Sequence, residues 1–69
     1  MTIPLSPRQQ EVALLVVRGL SNKAIAKETA LSVRSVEEYL TRICKRLGGE
    51  GKPRVRIIRW YYSDIGRAA

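Results

Sequence analysis

The spacing between two serines, Ser21 and Ser32, constrains this chain more than any other feature of it. Serine is a favoured N-cap because its hydroxyl accepts a hydrogen bond from a backbone N–H that the first helical turn leaves without a partner. Ser21 therefore predicts a short helix over Asn22 to Thr29, and Ser32 a longer one over residues 33–47. Ala30 and Leu31 are all that separates the first helix from the second cap, so the two helices must turn sharply against each other. Read at about 100° per residue, Val36, Leu40, Ile43 and Leu47 fall within about 60° of one another, the stripe of a helix with one buried face. Arg34, Glu38, Thr41 and Lys45 gather on the opposite side, flanked by Glu37 and Arg42.

A short helix, a tight turn and a longer amphipathic helix together read as a helix-turn-helix. Around it the chain supplies two further helices. Ser6-Pro7-Arg8-Gln9 has the form of a helix start, with Ser6 as N-cap, Pro7 at the first helical position and Gln9 closing a capping box. That helix is expected over about Pro7 to Arg18, after a short arm from Met1 to Leu5. Gly19 ends it, because glycine enters the left-handed conformation without steric cost, and Leu20 can fold back on the last turn. Gly48-Gly49-Glu50-Gly51 is a flexible break, and Pro53 opens a fourth helix expected to run to about Ile65. Val55, Ile58, Tyr62 and Ile65 share one stripe of it, expected to pack on the domain. Ile57, Trp60 and Tyr61 lie on another side and are expected to form a dimer or partner interface, the alternative being that they finish the monomer core by packing under the first arm. Residues 1–69 thus read as one all-α, four-helix domain.

Composition limits the alternatives. With no Phe and one Trp, most of the core must come from Leu, Ile, Val and Ala, and a 69-residue chain is marginal alone. A second copy or a partner could supply stability. The net charge of +7 favours a polyanion, and residues 42–59 carry seven of the 13 basic residues against Glu50. A single cysteine, Cys44, forbids an internal disulfide and reads as a small core residue, while the absence of His removes the usual zinc sites and the Ser-His and Cys-His nucleophile systems. The adjacent carboxylates Glu37 and Glu38 diverge by about 100° on a helix and enclose no substrate cleft. Neither an enzyme activity nor a cofactor is expected. No apolar run approaches membrane-spanning length and no broad apolar face backs the basic residues, so the expected location is the cytoplasm, at the nucleoid, without membrane binding.

Four segments in register resemble the LuxR-type (GerE/NarL-like) DNA-binding domain. The family's Leu-[Ser/Thr]-x-Arg-Glu-x-Glu-Val is similar to Leu5-Ser6-Pro7-Arg8-Gln9-Gln10-Glu11-Val12. Its Gly-x-Ser-Asn-Lys-Glu-Ile-Ala is similar to Gly19-Leu20-Ser21-Asn22-Lys23-Ala24-Ile25-Ala26. Its Ser-x-x-Thr-Val-Glu-x-His is similar to Ser32-Val33-Arg34-Ser35-Val36-Glu37-Glu38-Tyr39, and its Ile-x-x-Lys-Leu-Gly to Ile43-Cys44-Lys45-Arg46-Leu47-Gly48. Departures are Gln9 and Ala24 for common Glu residues, Thr29 for a usual Leu, a change expected to loosen the second helix, and Tyr39 for a frequent His. Beyond Gly48 the likeness fades, with Gly49 for a usual Val and Lys52 near a usual Arg.

The resemblance implies a third helix that enters the DNA major groove and a fourth that often mediates dimerisation. On that basis Arg34, Glu37, Glu38, Thr41 and Lys45 are the expected base-reading residues, since Arg and Lys pair with guanine and Glu accepts from cytosine N4. Asn22, Lys23, Ser35 and Arg42 are the expected phosphate contacts. The expected function is a stand-alone, sequence-specific regulator of transcription that binds double-stranded DNA as a homodimer. Two other readings stand beside it. One is an anti-activator that blocks a larger LuxR-type regulator through the fourth helix; the other is a promoter-recognition module resembling sigma-factor region 4, which would partner RNA polymerase.

Overall fold

The structure is a computed structural model that describes residues 4–65, with side-chain surroundings for residues 4–63. Its elements are α1 (Pro7–Val17), α2 (Asn22–Thr29), α3 (Val33–Leu47) and α4 (Pro53–Trp60), followed by a π-helical turn, Tyr61–Ile65. The described residues are all-α.

The serine caps set the starts. Ser6 Oγ accepts from the Gln9 N–H at 3.2 Å, and Gln9 Oε1 accepts from the Ser6 N–H at 3.0 Å, which completes the capping box of α1. Ser21 Oγ accepts from the Ala24 N–H at 3.2 Å, and Ser32 Oγ from the Ser35 N–H at 3.0 Å. At the end of α1, Gly19 takes φ +89°, and the Leu20 N–H reaches back to the Leu15 carbonyl at 3.2 Å. The turn between α2 and α3 is made differently. Ala30 sits in the left-handed region at φ 59° and ψ 28°, and the N–H groups of Ala30 and Leu31 both find the Ala26 carbonyl. An alanine there carries a Cβ clash that glycine would avoid, so the turn stores strain.

The stripe of α3 is the centre of the core. Val36 and Ile43 are fully buried, Leu40 and Cys44 nearly so, and Leu47 packs half-buried beside them. α3 touches α1, α2 and α4, which bring Val12, Ala13 and Val16, then Ile25 and Ala26, then Ile57 and Trp60. Thr29 closes the base of α2. It is buried, yet its hydroxyl donates to the Ile25 carbonyl at 2.7 Å, so the polar atom has a partner. The Thr29 carbonyl in turn accepts from the Arg8 guanidinium, which ties α2 to α1. A threonine where leucine is usual therefore leaves this helix end anchored.

Two expectations about position are overturned. Leu5, read as the end of a short arm rather than as a core residue, is 4% exposed and belongs to the core, with its carbonyl accepting from Gln10 Nε2 at 2.9 Å. The faces of α4 are the reverse of those expected. Ile57 and Trp60 are buried and Tyr61 packs half-buried against the core, whereas Val55, Ile58 and Tyr62 are exposed. Both stripes are apolar, so periodicity could not choose between them. The orientation that buries Ile57 and Trp60 places Arg54 and Arg56 where they bond to Asn22 and to the Gly49 carbonyl, respectively. The α-helix also ends earlier than expected, at Trp60 rather than near Ile65, and widens into the π turn where Trp60, Tyr61 and Tyr62 follow one another. The Tyr61 and Tyr62 rings meet edge to face at 5.3 Å.

Candidate nucleic-acid interface

Helix α3 has one apolar side, and the three neighbouring helices use it. What remains is the opposite face, where Arg34, Glu37, Glu38, Thr41, Arg42 and Lys45 line a single shallow, open surface. All six are exposed. The structure thus brings the five residues expected to read bases onto one patch, together with Arg42, which was expected at the phosphates. Arg34 Nε lies 3.7 Å from Glu38 Oε1, an i,i+4 pair on the surface. Such a pair is weak in water, so either member can turn to another partner at little cost. Thr41 Oγ1 donates to the Glu37 carbonyl at 3.1 Å, which leaves the hydroxyl able to accept a further hydrogen bond.

The remaining expected phosphate contacts are distributed around the two helix starts. Ser35 is half-buried, and its hydroxyl accepts from Ser32 Oγ at 3.0 Å, so it belongs to the cap of α3. Asn22 and Lys23 open α2, where exposed N–H groups and the helix dipole favour an anion. Lys23 is exposed, whereas Asn22 is half-buried with Oδ1 accepting from Arg54 Nη2 at 2.7 Å. Arg54 is the residue that sequence reasoning missed at this place. Its basic charge is visible in the sequence, but it lies 32 positions from Asn22, and no one-dimensional pattern joins the two.

The two glycines after α3 and the start of α4 hold the rear of the helix. Gly48 and Gly49 both take positive φ, and the Arg56 guanidinium donates to the Gly49 carbonyl. Cys44, on the edge of the buried stripe, donates its thiol to the Pro53 carbonyl at 3.5 Å. Burial pushes the thiol pKa above its ordinary value of 9.0, and the hydrogen bond and charge of Arg56 offset part of that rise. A neutral, buried thiol of this kind is a core residue rather than a reactive one. Among the described residues no three His, Cys, Asp or Glu side chains are grouped to hold a metal ion, and no helix is long and apolar enough to cross a membrane.

Comparison with known proteins agrees with this geometry. Residues 3–60 match the family described as "Bacterial regulatory proteins, luxR family" (GerE). Among curated proteins, the chain is similar to the response regulator Rre1 of Synechocystis sp., 44% identical over 46 residues that make up 67% of this chain and 20% of the relative. It is 46% identical over 43 residues to the probable transcriptional regulator ycf29 of Cyanophora paradoxa, across 62% of this chain and 20% of that protein. It is 41% identical over 49 residues to the oxygen regulatory protein NreC of Staphylococcus aureus, across 71% of this chain and 23% of that one. The chain therefore spans about a fifth of the length of these relatives. No solved structure gives a significant match. The matched residues cover all of α1 to α4, and with the four-helix fold and the polar outer face of α3 they establish that the chain belongs to the LuxR family of bacterial regulatory proteins and carries its DNA-binding helix-turn-helix domain.

Proposed function

We propose that the chain is a sequence-specific regulator of transcription that inserts α3 into the major groove of duplex DNA and acts as a homodimer. The observation that carries this reading is the division of α3, whose buried side packs on the other three helices while six polar side chains share one open surface. Arg34 and Lys45 bond to guanine, Glu37 and Glu38 accept from exocyclic amines, and Thr41 contributes its methyl and hydroxyl. Arg42, Lys23, Asn22 and Ser35 hold phosphates. Two copies present their recognition helices one helical turn apart, which matches a partly palindromic site. The dimer contact is made by Val55, Ile58 and Tyr62, the apolar side chains that α4 leaves exposed, and no longer by Ile57 and Trp60, which the core consumes. The protein works in the cytoplasm, on the nucleoid.

Selection of binding sites from random duplex DNA at physiological salt tests the reading directly. A consensus is expected, and Arg34→Ala and Lys45→Ala are each expected to weaken binding to it by about 1–3 kcal/mol. Unchanged binding by both variants would refute the assigned reading face. The same exposed apolar side of α4 is what favours the blocking of a larger LuxR-type regulator as the second reading. Failure to enrich any sequence, together with a stable complex between this chain and such a regulator, would replace the first reading by that one.

A further inference from the structure

Arg54 joins the starts of two helices through one side-chain hydrogen bond. It lies in the first turn of α4, it is half-buried, and its Nη2 donates to Asn22 Oδ1 at the first turn of α2, 2.7 Å away. The acceptor is a neutral amide, so the bond fixes the guanidinium without cancelling its charge. The ion pairs among the described residues are Arg8 with Glu11 and Arg34 with Glu38, and neither involves Arg54. A half-buried cation without a carboxylate has lost hydration that a neutral partner restores only in part, and an arriving anion recovers the rest. The bond also orients Asn22. Once Oδ1 is committed to Arg54, the amide's two remaining donors, both on Nδ2, point along the other prong.

We propose that Arg54 and Asn22 together bind one phosphate of the DNA backbone, the guanidinium supplying the charge and Asn22 Nδ2 a directed donor. The inference rests on the DNA-binding reading above and extends the contact surface from the helix-turn-helix to the start of α4. Arginine suits the role because its planar fork can keep the Asn22 bond while turning other N–H groups to a phosphate oxygen; a lysine ammonium, a point charge without that fork, holds both partners less well. The two helix starts then act on one phosphate as a unit, and α4 fixes the depth at which α3 sits in the groove.

The salt dependence of binding separates this role from a purely structural one. The full chain and its Arg54→Ala, Arg54→Gln, Arg54→Lys and Asn22→Ala variants are titrated with a short random-sequence duplex over a range of salt, and each variant is melted to confirm that it folds. Each phosphate neutralised contributes about 0.9 to the slope of log K against log salt, so Arg54→Ala and Arg54→Gln are expected to lower the slope by about that amount. Arg54→Lys retains the slope. Asn22→Ala weakens binding at an unchanged slope, and that weakening disappears when Arg54 is already Ala. Should Arg54→Ala fold poorly, Arg54→Gln keeps a donor for Asn22 and still removes the charge. Folded Arg54→Ala and Arg54→Gln proteins whose slopes equal that of the parent would overturn the proposal and leave the DNA-binding reading intact. A parent chain with no salt-dependent binding would overturn both.

Discussion

Replacing Trp60 by Ala distinguishes a core α4 from an α4 that serves first as an interface. The indole is 9% exposed, beside the fully buried Ile57 and against α1. Deleting a buried Trp side chain costs about 3–5 kcal/mol, the transfer term plus the cavity left behind. Here the lower end applies, because Trp60 borders a cleft of about 400 Å³, lined also by Pro7, Leu14 and Tyr61, into which water can follow. A chain of this length has roughly 3–10 kcal/mol of stability in all, so a loss of about 3 kcal/mol removes a large share of it. At about 4–8 °C per kcal/mol for a domain of this size, the midpoint should fall by at least about 12 °C. Circular-dichroism melts at fixed protein concentration measure this, since dimerisation makes the midpoint depend on concentration. Tyr62→Ala is the control. Its side chain is exposed, so in the monomer it should cost under about 1 kcal/mol and act on self-association instead. A Trp60→Ala protein that melts within about 0.5 kcal/mol of the parent but sediments as a monomer would refute the packing argument, because surface residues behave in that way.

Other perturbations bear on separate features. Ala30→Gly removes the Cβ from a left-handed residue and should raise stability by roughly 0.5–1 kcal/mol despite the greater freedom of the unfolded chain, as read by urea denaturation; a loss would show that the turn is not strained. Cys44 has a folded pKa above its unfolded one, so its contribution is full below the unfolded pKa and is lost as the pH rises toward the folded value; Cys44→Ala should flatten the alkaline fall in stability, and parallel curves for the two proteins would refute the assignment. Glu38→Gln should tighten binding to random-sequence DNA several-fold at low salt, while preference at one base position of the selected site declines. A loss of affinity for both kinds of DNA would assign Glu38 to support of Arg34 rather than to a base.

Much of this was readable in one dimension, for reasons particular to each element. Ser6, Ser21 and Ser32 cap through hydrogen bonds that span three residues, so their partners lie in the same short stretch of sequence. Gly19 is legible for a different local reason, since the positive φ that ends α1 is one glycine adopts without steric cost. The stripe of α3 was legible because charged residues filled the opposite side, leaving one choice of buried face. α4 offered two apolar sides, and the choice depended on α1 and on the partners available to Arg54 and Arg56, none of which its own sequence carries. Leu5 was missed because a residue outside any periodic segment has no phase from which burial can be read. The pairing of Arg54 with Asn22 is a product of tertiary structure alone.

The separation of duties on α3 has a consequence for how such a protein can change over generations. Val36, Leu40, Ile43 and Cys44 hold the fold, while Arg34, Glu37, Glu38, Thr41, Arg42 and Lys45 line the exposed side of the same helix. Substitutions on the outer face should therefore be close to neutral for folding, and a lineage can drift between target sequences without crossing an unfolded intermediate. Retargeting by exchange of those six side chains alone, on an otherwise unaltered chain, becomes a practical route to new binding preferences.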